Sequence, residues 1–248
     1  MRNNLKWVIF SIGVVVLFFI VQFDIKNDES WDSWNLPLTG KIIYLDPGHG
    51  GVDPGASKEN VIEKDVALNI AFKLRDFLQQ QGALVLMTRE ADIDLADANT
   101  KGYSRRKSED LHKRLKLIND SEADLFLSIH LNAIPSSRWS GAQTFYGPRY
   151  KESEEAAKYI QGELTRNLEN TTRQAKEINN VFLMKHAEKP GVLVEVGFLS
   201  NSVERGNLQN EAYQEMLAAS IYKGVLRYFS EYDDEDKEDE DEEKIEDE

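Results

Sequence analysis

Apolar residues along this chain follow two alternating rhythms. In one, they run without a polar break: Ile42 to Leu45, Ala83 to Thr88, Leu125 to Ile129, a shorter run from Gly141 to Gly147, and Val192 to Val196. These read as strands. In the other, they recur every three or four positions. From Glu63 to Gln81, Val66, Ile70, Leu74 and Leu78 form a stripe that Ala67 and Ala71 thicken, and Gly82 is the stop signal. Tyr103 to Asn119 directs Leu111, Leu115 and Ile118 inward. Glu152 to Leu168 repeats Ala156, Ile160 and Leu164, and Tyr213 to Phe229 closes the pattern with Met216, Leu217, Ile221, Val225 and Tyr228 on one side. Ala91 to Gly102 is polar and reads as a loop. Helices alternating with continuously apolar strands predict an α/β fold with a largely parallel sheet covered on both faces.

The two ends break this pattern. Residues 7–23 carry no charge, with Arg2 and Lys6 before them and Asp24, Asp28 and Glu29 after. This length is near the lower limit for a membrane span. The charge asymmetry keeps residues 1–6 in the cytoplasm and places the rest of the chain outside. A cleaved signal peptide is the alternative, but no small-x-small cleavage site follows Phe23, which favours an uncleaved anchor. The folded region is then extracytoplasmic, either membrane-anchored or secreted. Residues 24–40, with Trp31 and Trp34, read as a linker, 41–230 as one folded domain, and 231–248 as an acidic disordered tail. The formal net charge of -14 sits almost wholly in that tail, which holds fourteen acidic residues and two lysines. The domain itself is nearly neutral and has no basic stripe with interleaved aromatics, so nucleic acid is not expected as a partner.

The chain has no cysteine, so thiol nucleophiles, disulfide frameworks and Cys-based zinc fingers are excluded. Any metal must be held by His, Asp or Glu. The candidates stand out by position. Glu195 lies inside the apolar run Val192 to Leu199, where a carboxylate is costly unless a charge partner or a metal compensates it. His49 follows the first strand in a glycine-rich loop, His130 ends another strand, and Glu63 opens a helix. In parallel sheets functional groups gather at the carboxyl ends of the strands, so residues far apart in sequence can meet there. Two histidines and a carboxylate are a zinc set, and a further carboxylate beside the open position is a general base. Each residue also has a plainer reading: His49 as a turn residue, Glu63 as an exposed first-turn carboxylate, His130 as a core histidine, Glu195 as the partner of a buried arginine. The glycines around His49 lack the endings of a phosphate-binding loop. His112, among Lys113, Arg114 and Lys116 on a solvated helix, and His186, in a polar loop, read as non-ligands.

Three segments carry a family resemblance: Leu45-Asp46-Pro47-Gly48-His49-Gly50-Gly51, Ser128-Ile129-His130-Leu131-Asn132-Ala133, and Pro190 through Asn201. They resemble the signatures of the zinc-dependent N-acetylmuramoyl-L-alanine amidases of the amidase-3 type, and the likeness runs from about Lys41 to Phe229. It implies a twisted mixed sheet flanked by helices, Zn2+ held by His49, Glu63 and His130, and Glu195 as catalytic acid/base. The implied reaction is hydrolysis of the amide between the lactyl group of N-acetylmuramic acid and L-alanine in peptidoglycan. Gly191 departs mildly from the family, which often has alanine there. The short N-terminal segment, the single catalytic domain and the lack of wall-binding repeats resemble the germination-specific members. That narrower likeness implies spore cortex peptidoglycan as substrate and a separate deacetylase acting downstream toward muramic δ-lactam; an activator protein is a further candidate partner. Two other classes stay open on the residues alone: a different zinc hydrolase of the wall, such as a peptidase or deacetylase, and a non-catalytic wall-binding module.

Overall fold

The computed structural model describes residues 36–232 together with Trp7, Val14 and Val15. The chain divides into Met1–Leu36 and Pro37–Glu248, and the candidate site lies wholly in the second part. Apart from Trp7, Val14 and Val15, the expected membrane segment 7–23 lies outside the described residues, as do most of the linker and residues 233–248 of the tail. Among the described residues no helix is long and apolar enough to cross a membrane.

The elements follow in the order β1 (Ile42–Pro47), β2 (Ser57–Lys58), β3 (Val61–Ile62), α1 (Glu63–Gln80), β4 (Leu84–Met87), α2 (Tyr103–Asn119) and β5 (Leu125–Asn132). Then come β6 (Gln143–Tyr146), α3 (Lys151–Leu168), β7 (Lys176–Glu177), α4 (Phe182–His186), β8 (Gly191–Phe198), α5 (Ser202–Leu208) and α6 (Glu211–Arg227). A π-helical turn, Tyr228–Tyr232, ends the described chain. Six strands form one sheet in the order β4-β1-β5-β8-β6-β7, and β2 and β3 make a separate small hairpin. β4, β1, β5 and β8 run parallel, while β6 is antiparallel to β8. The sheet is therefore mixed and mostly parallel, with helices on both faces, as the alternating pattern predicts.

The alternation of side chains along each strand decides what each face can do. One face carries Ile43, Leu45, Leu127, Ile129, Val192, Val194 and Val196 against Ile70 and Leu74 of α1, Ile160 of α3, and Ile221 and Val225 of α6. The other carries Tyr44, Phe126 and Leu193 against Ile118 of α2 and Leu183 and Met184 of α4. The first face is an apolar core along its whole length. The second is apolar only at its lower end. Toward the carboxyl ends its positions become Asp46, Ser128, His130 and Glu195, and there the site is built.

Several expectations shift in detail. The inward positions of α2 are Asp110, Arg114 and Ile118, while Leu111 and Leu115 are only partly covered. Arg114, expected on a solvated face, is fully buried. Met216 is 39% exposed rather than inward. His186 closes the short helix α4 instead of lying in a loop. The folded part reaches Tyr232, two residues into the stretch read as tail, and Tyr232 packs in the main core. Helices α4 and α5 are too short for a helical period to register in the sequence. α5 is nevertheless signalled by its cap, for Asn201 accepts hydrogen bonds from the amides of Val203 and Glu204.

Gly191 has a packing reason. It is the register partner of Phe126, and a Cβ added there would stand 1.9 Å from the Phe126 ring. Gly191→Ala should therefore destabilise the protein by about 1–3 kcal/mol, the usual scale of overpacking. Adding Phe126→Leu should return part of that loss. Urea unfolding of the two variants measures both; an unperturbed Gly191→Ala protein would show that the ring moves freely.

Candidate active site

β1 delivers the chain into the loop Gly48-His49-Gly50-Gly51. His49 itself takes a positive φ of 61°, a conformation that costs a residue with a Cβ about 1–2 kcal/mol. β5 places His130 beside it, and Gly48 permits the approach: a Cβ there would lie 2.3 Å from the His130 ring. The two imidazoles meet edge to face with centroids 5.0 Å apart. Glu63, the first residue of α1, is buried between them. Its Oε1 lies 3.2 Å from His49 Nε2 and 3.0 Å from His130 Nδ1. Oε1 also accepts from the Leu131 amide, and Oε2 accepts from the Ala56 amide at 2.7 Å. Burial would raise the Glu63 pKa, but His130 and His49 outweigh it and hold the carboxyl well below the usual range.

One donor atom from each of these residues falls within 4.8 Å of the others. The corners of a tetrahedron with metal–ligand bonds of about 2.0 Å lie about 3.3 Å apart, close to the two separations at Glu63 Oε1. His49 is braced from behind. Its Nδ1 is 2.8 Å from Asp53 Oδ2, which leaves Nε2 aimed at Glu63. Asp53 is fixed in turn by the Tyr103 hydroxyl at 2.8 Å and the Lys107 ammonium at 2.9 Å. The donor set, its spacing and its bracing fit a divalent transition metal.

Glu195 is the register partner of His130 across β5 and β8, so both side chains leave the same face side by side. A register shift follows immediately, between His130 and Asn132, as bulges beside functional sites often do. Glu195 Oε2 is buried without a hydrogen-bond partner among the described residues. Among the described residues no arginine compensates it. Burial pushes its pKa up to about 7, with His130 pulling down and Glu63 adding repulsion. A carboxyl poised near neutrality beside a metal set can take and return a proton. The structure thus brings all four sequence candidates to one place, and leaves His112 exposed on α2 and His186 exposed on α4.

The family model for N-acetylmuramoyl-L-alanine amidases matches residues 43–227. The chain belongs to this amidase family. It is 60% identical over 234 residues to the germination-specific N-acetylmuramoyl-L-alanine amidase of Bacillus subtilis, covering 94% of this chain and 99% of that one. Over 195 residues it is 34% identical to the B. subtilis amidase LytC, spanning 36% of that longer protein. Among solved structures, the CwlD amidase of Clostridioides difficile, in complex with the GerS lipoprotein, matches with a TM-score of 0.75 and 42% identity over 77% of this chain and 99% of that one.

The amidase holds its histidine loop through two buried arginines that the sequence pattern does not single out. Arg114 donates to Asp46 Oδ1 at 2.7 Å, to the Pro47 carbonyl at 2.8 Å, to the His49 carbonyl at 2.5 Å, and from Nε to Asp110 at 2.8 Å. Arg89 donates to the carbonyls of Pro47, Gly48, Lys64 and Ala91. Every carbonyl from Pro47 to His49 thus has a guanidinium partner. Thr88 and Ser128 complete the shell around Asp46. Burial pushes Asp46 up, but the Arg114 charge and the Ser128 hydroxyl outweigh it and hold the carboxyl below its usual range. Beside this cluster a cavity of about 350 Å³ opens between the histidines, Lys107 of α2, and Asn180 and Phe182.

Removing Arg114 leaves Asp46 and Asp110 buried without their cation. Arg114→Leu should cost about 3–5 kcal/mol in chemical unfolding, the scale of a broken buried pair. A loss below about 1 kcal/mol would mean that the carbonyl shell is held by other groups.

Proposed function

We propose that this amidase is zinc-dependent, with His49, Glu63 and His130 as the metal ligands and Glu195 as the catalytic acid/base. The observation that carries this reading is the meeting of two imidazoles and a carboxylate at 3.0–3.2 Å with a buried, unpartnered carboxylate oxygen alongside. When bound, zinc supplies a Lewis acid that polarises the scissile carbonyl and acidifies water. The chain's own residues do the rest. Glu195 accepts the proton of the attacking water and delivers it to the alanine nitrogen as the amide breaks. Asp53 holds the His49 ring by Nδ1, and Glu63 keeps both histidines turned toward one point.

The substrate of this reading is peptidoglycan, cut between the lactyl group of N-acetylmuramic acid and L-alanine. The likeness to the germination-specific B. subtilis amidase supports spore cortex as the material. A deacetylase would then act downstream, on the unblocked muramic acid, toward the δ-lactam. The charge pattern around residues 7–23 supports a membrane anchor that places the domain outside the cytoplasm. A protein partner is part of the proposal, because the C. difficile relative was solved together with a lipoprotein.

Three measurements test this. Incubation of the zinc-loaded chain with cortex peptidoglycan should yield a free lactyl carboxylate and a free alanine amine on an intact stem peptide, seen by mass spectrometry. Cut stem peptides or released acetate, with no free lactyl group, would favour another wall hydrolase. Metal analysis of His130→Ala should find near-complete zinc loss at neutral pH, and full occupancy would remove His130 from the site. Glu195→Gln should keep zinc and fold while turnover drops by about two or more orders of magnitude. Wild-type turnover in that variant would reduce Glu195 to a structural residue.

A further inference from the structure

Outward from Glu195, the rim of the sheet carries a charged group that the proposed chemistry does not use. Gln143 is the register partner of Glu195 across β8 and β6, so the two side chains leave the same face, their Cα atoms about 5 Å apart. Arg173 donates from Nη1 to Gln143 Oε1 at 3.1 Å and from Nε to the Ser140 carbonyl at 3.2 Å. Its guanidinium stacks on two rings, 5.3 Å from the centroid of Trp139 and 5.1 Å from that of Phe198. Phe198 is buried, whereas Trp139 is 51% exposed.

These contacts fix the plane of the guanidinium and leave its charge uncancelled. Arg75, Arg106, Arg114, Arg166, Arg205 and Arg227 each pair with a carboxylate. Arg173 forms no such pair among the described residues. Glu204 feels its charge, yet the Glu204 oxygens are committed to the amides of Gly141 and Phe198. A partly buried, pre-oriented guanidinium without an anion, flanked by an exposed indole, is suited to receive a carboxylate from outside.

We propose that Arg173, framed by Trp139 and Gln143, binds a carboxylate of the stem peptide on the leaving-group side of the scissile amide. The inference rests on the role given to Glu195 above. The alanine nitrogen departs with the peptide and takes its proton from Glu195, so the peptide lies on the Glu195 side of the metal set. Across the sheet the order is His130, Glu195, Gln143, and Arg173 is hydrogen-bonded to the last of these. The indole covers the aliphatic part of the peptide and shields the ion pair from water.

The test compares two soluble muramoyl peptides that differ at the second residue, glutamate with a free α-carboxylate in one and its carboxamide in the other. The wild-type chain with zinc should show kcat/KM about tenfold or more higher for the carboxylate, the scale of one hydrogen bond to a charged group. In Arg173→Gln that ratio should fall to about one. Arg173→Lys, which keeps the charge without the fork, should retain a ratio between the two. Because the readout is a ratio within one protein sample, partial loss of folded material does not alter it. A wild-type ratio near one, or an undiminished ratio in Arg173→Gln, would overturn the proposal. Glu195→Gln assayed alongside separates the two readings: full turnover there removes the proton role of Glu195, while the ratio speaks for Arg173.

Discussion

The site depends on two buried guanidinium groups beneath a histidine loop. A glycine-rich turn that carries a metal-ligand candidate faces two physical problems. Its carbonyls point into protein, and His49 sits in a left-handed backbone conformation. Unsatisfied buried carbonyls cost free energy comparable to lost hydrogen bonds. Arg89 and Arg114 donate to the carbonyls of Pro47, Gly48 and His49 and so make this backbone shape the satisfied one. The arrangement then requires anions, and Asp46 and Asp110 provide them. Two cations in one buried cluster strain each other: burial and the neighbouring Arg114 charge pull Arg89 down to about 10. Replacing the whole cluster by apolar side chains would not restore the loop, because the carbonyls would remain.

The same logic separates the two faces of the sheet. One face is apolar to its end and packs three long helices. The other changes character halfway along, from Phe126 and Leu193 to Ser128, His130 and Glu195. Polar groups are tolerated there because each has a partner, with one exception. Glu195 Oε2 has none among the described residues, and burial pushes the pKa of its carboxyl up to about 7. A native fold retains such a group where function needs it. A carboxyl that ionises near pH 7 can act as base and acid in one cycle, which is the role proposed above for Glu195.

Much of this was legible in the residues. The four-residue stripe Val66, Ile70, Leu74 and Leu78 marks α1, and all four positions are buried on it. The apolar strands announce a parallel sheet, whereas the antiparallel pairing of β6 with β8 has no mark in the residues, because a four-residue strand looks the same in either direction. His49, Glu63, His130 and Glu195 were each marked by an anomaly: a polar group in or just beyond an apolar strand, or a carboxylate opening a helix. Arg114 gave no such mark. It stands in a run of charged residues, and only the lateral position of α2 over β1 turns that side chain inward. Arg173 and Trp139 were equally silent, since a lone arginine before a two-residue strand has no period to read.

Sequence by itself determined the alternation of elements, the lack of thiol chemistry and the identity of the residues able to hold a metal, because these follow from local periodicity and side-chain chemistry. Tertiary structure alone decided which strands became neighbours. That choice set His130 beside Glu195, closed α1 so that Glu63 falls between two imidazoles, and brought Arg89 and Arg114 under the loop. The physical reason is that pairing order, bulges and helix docking are settled by the sum of long-range packing, in which no short stretch of chain carries the deciding information.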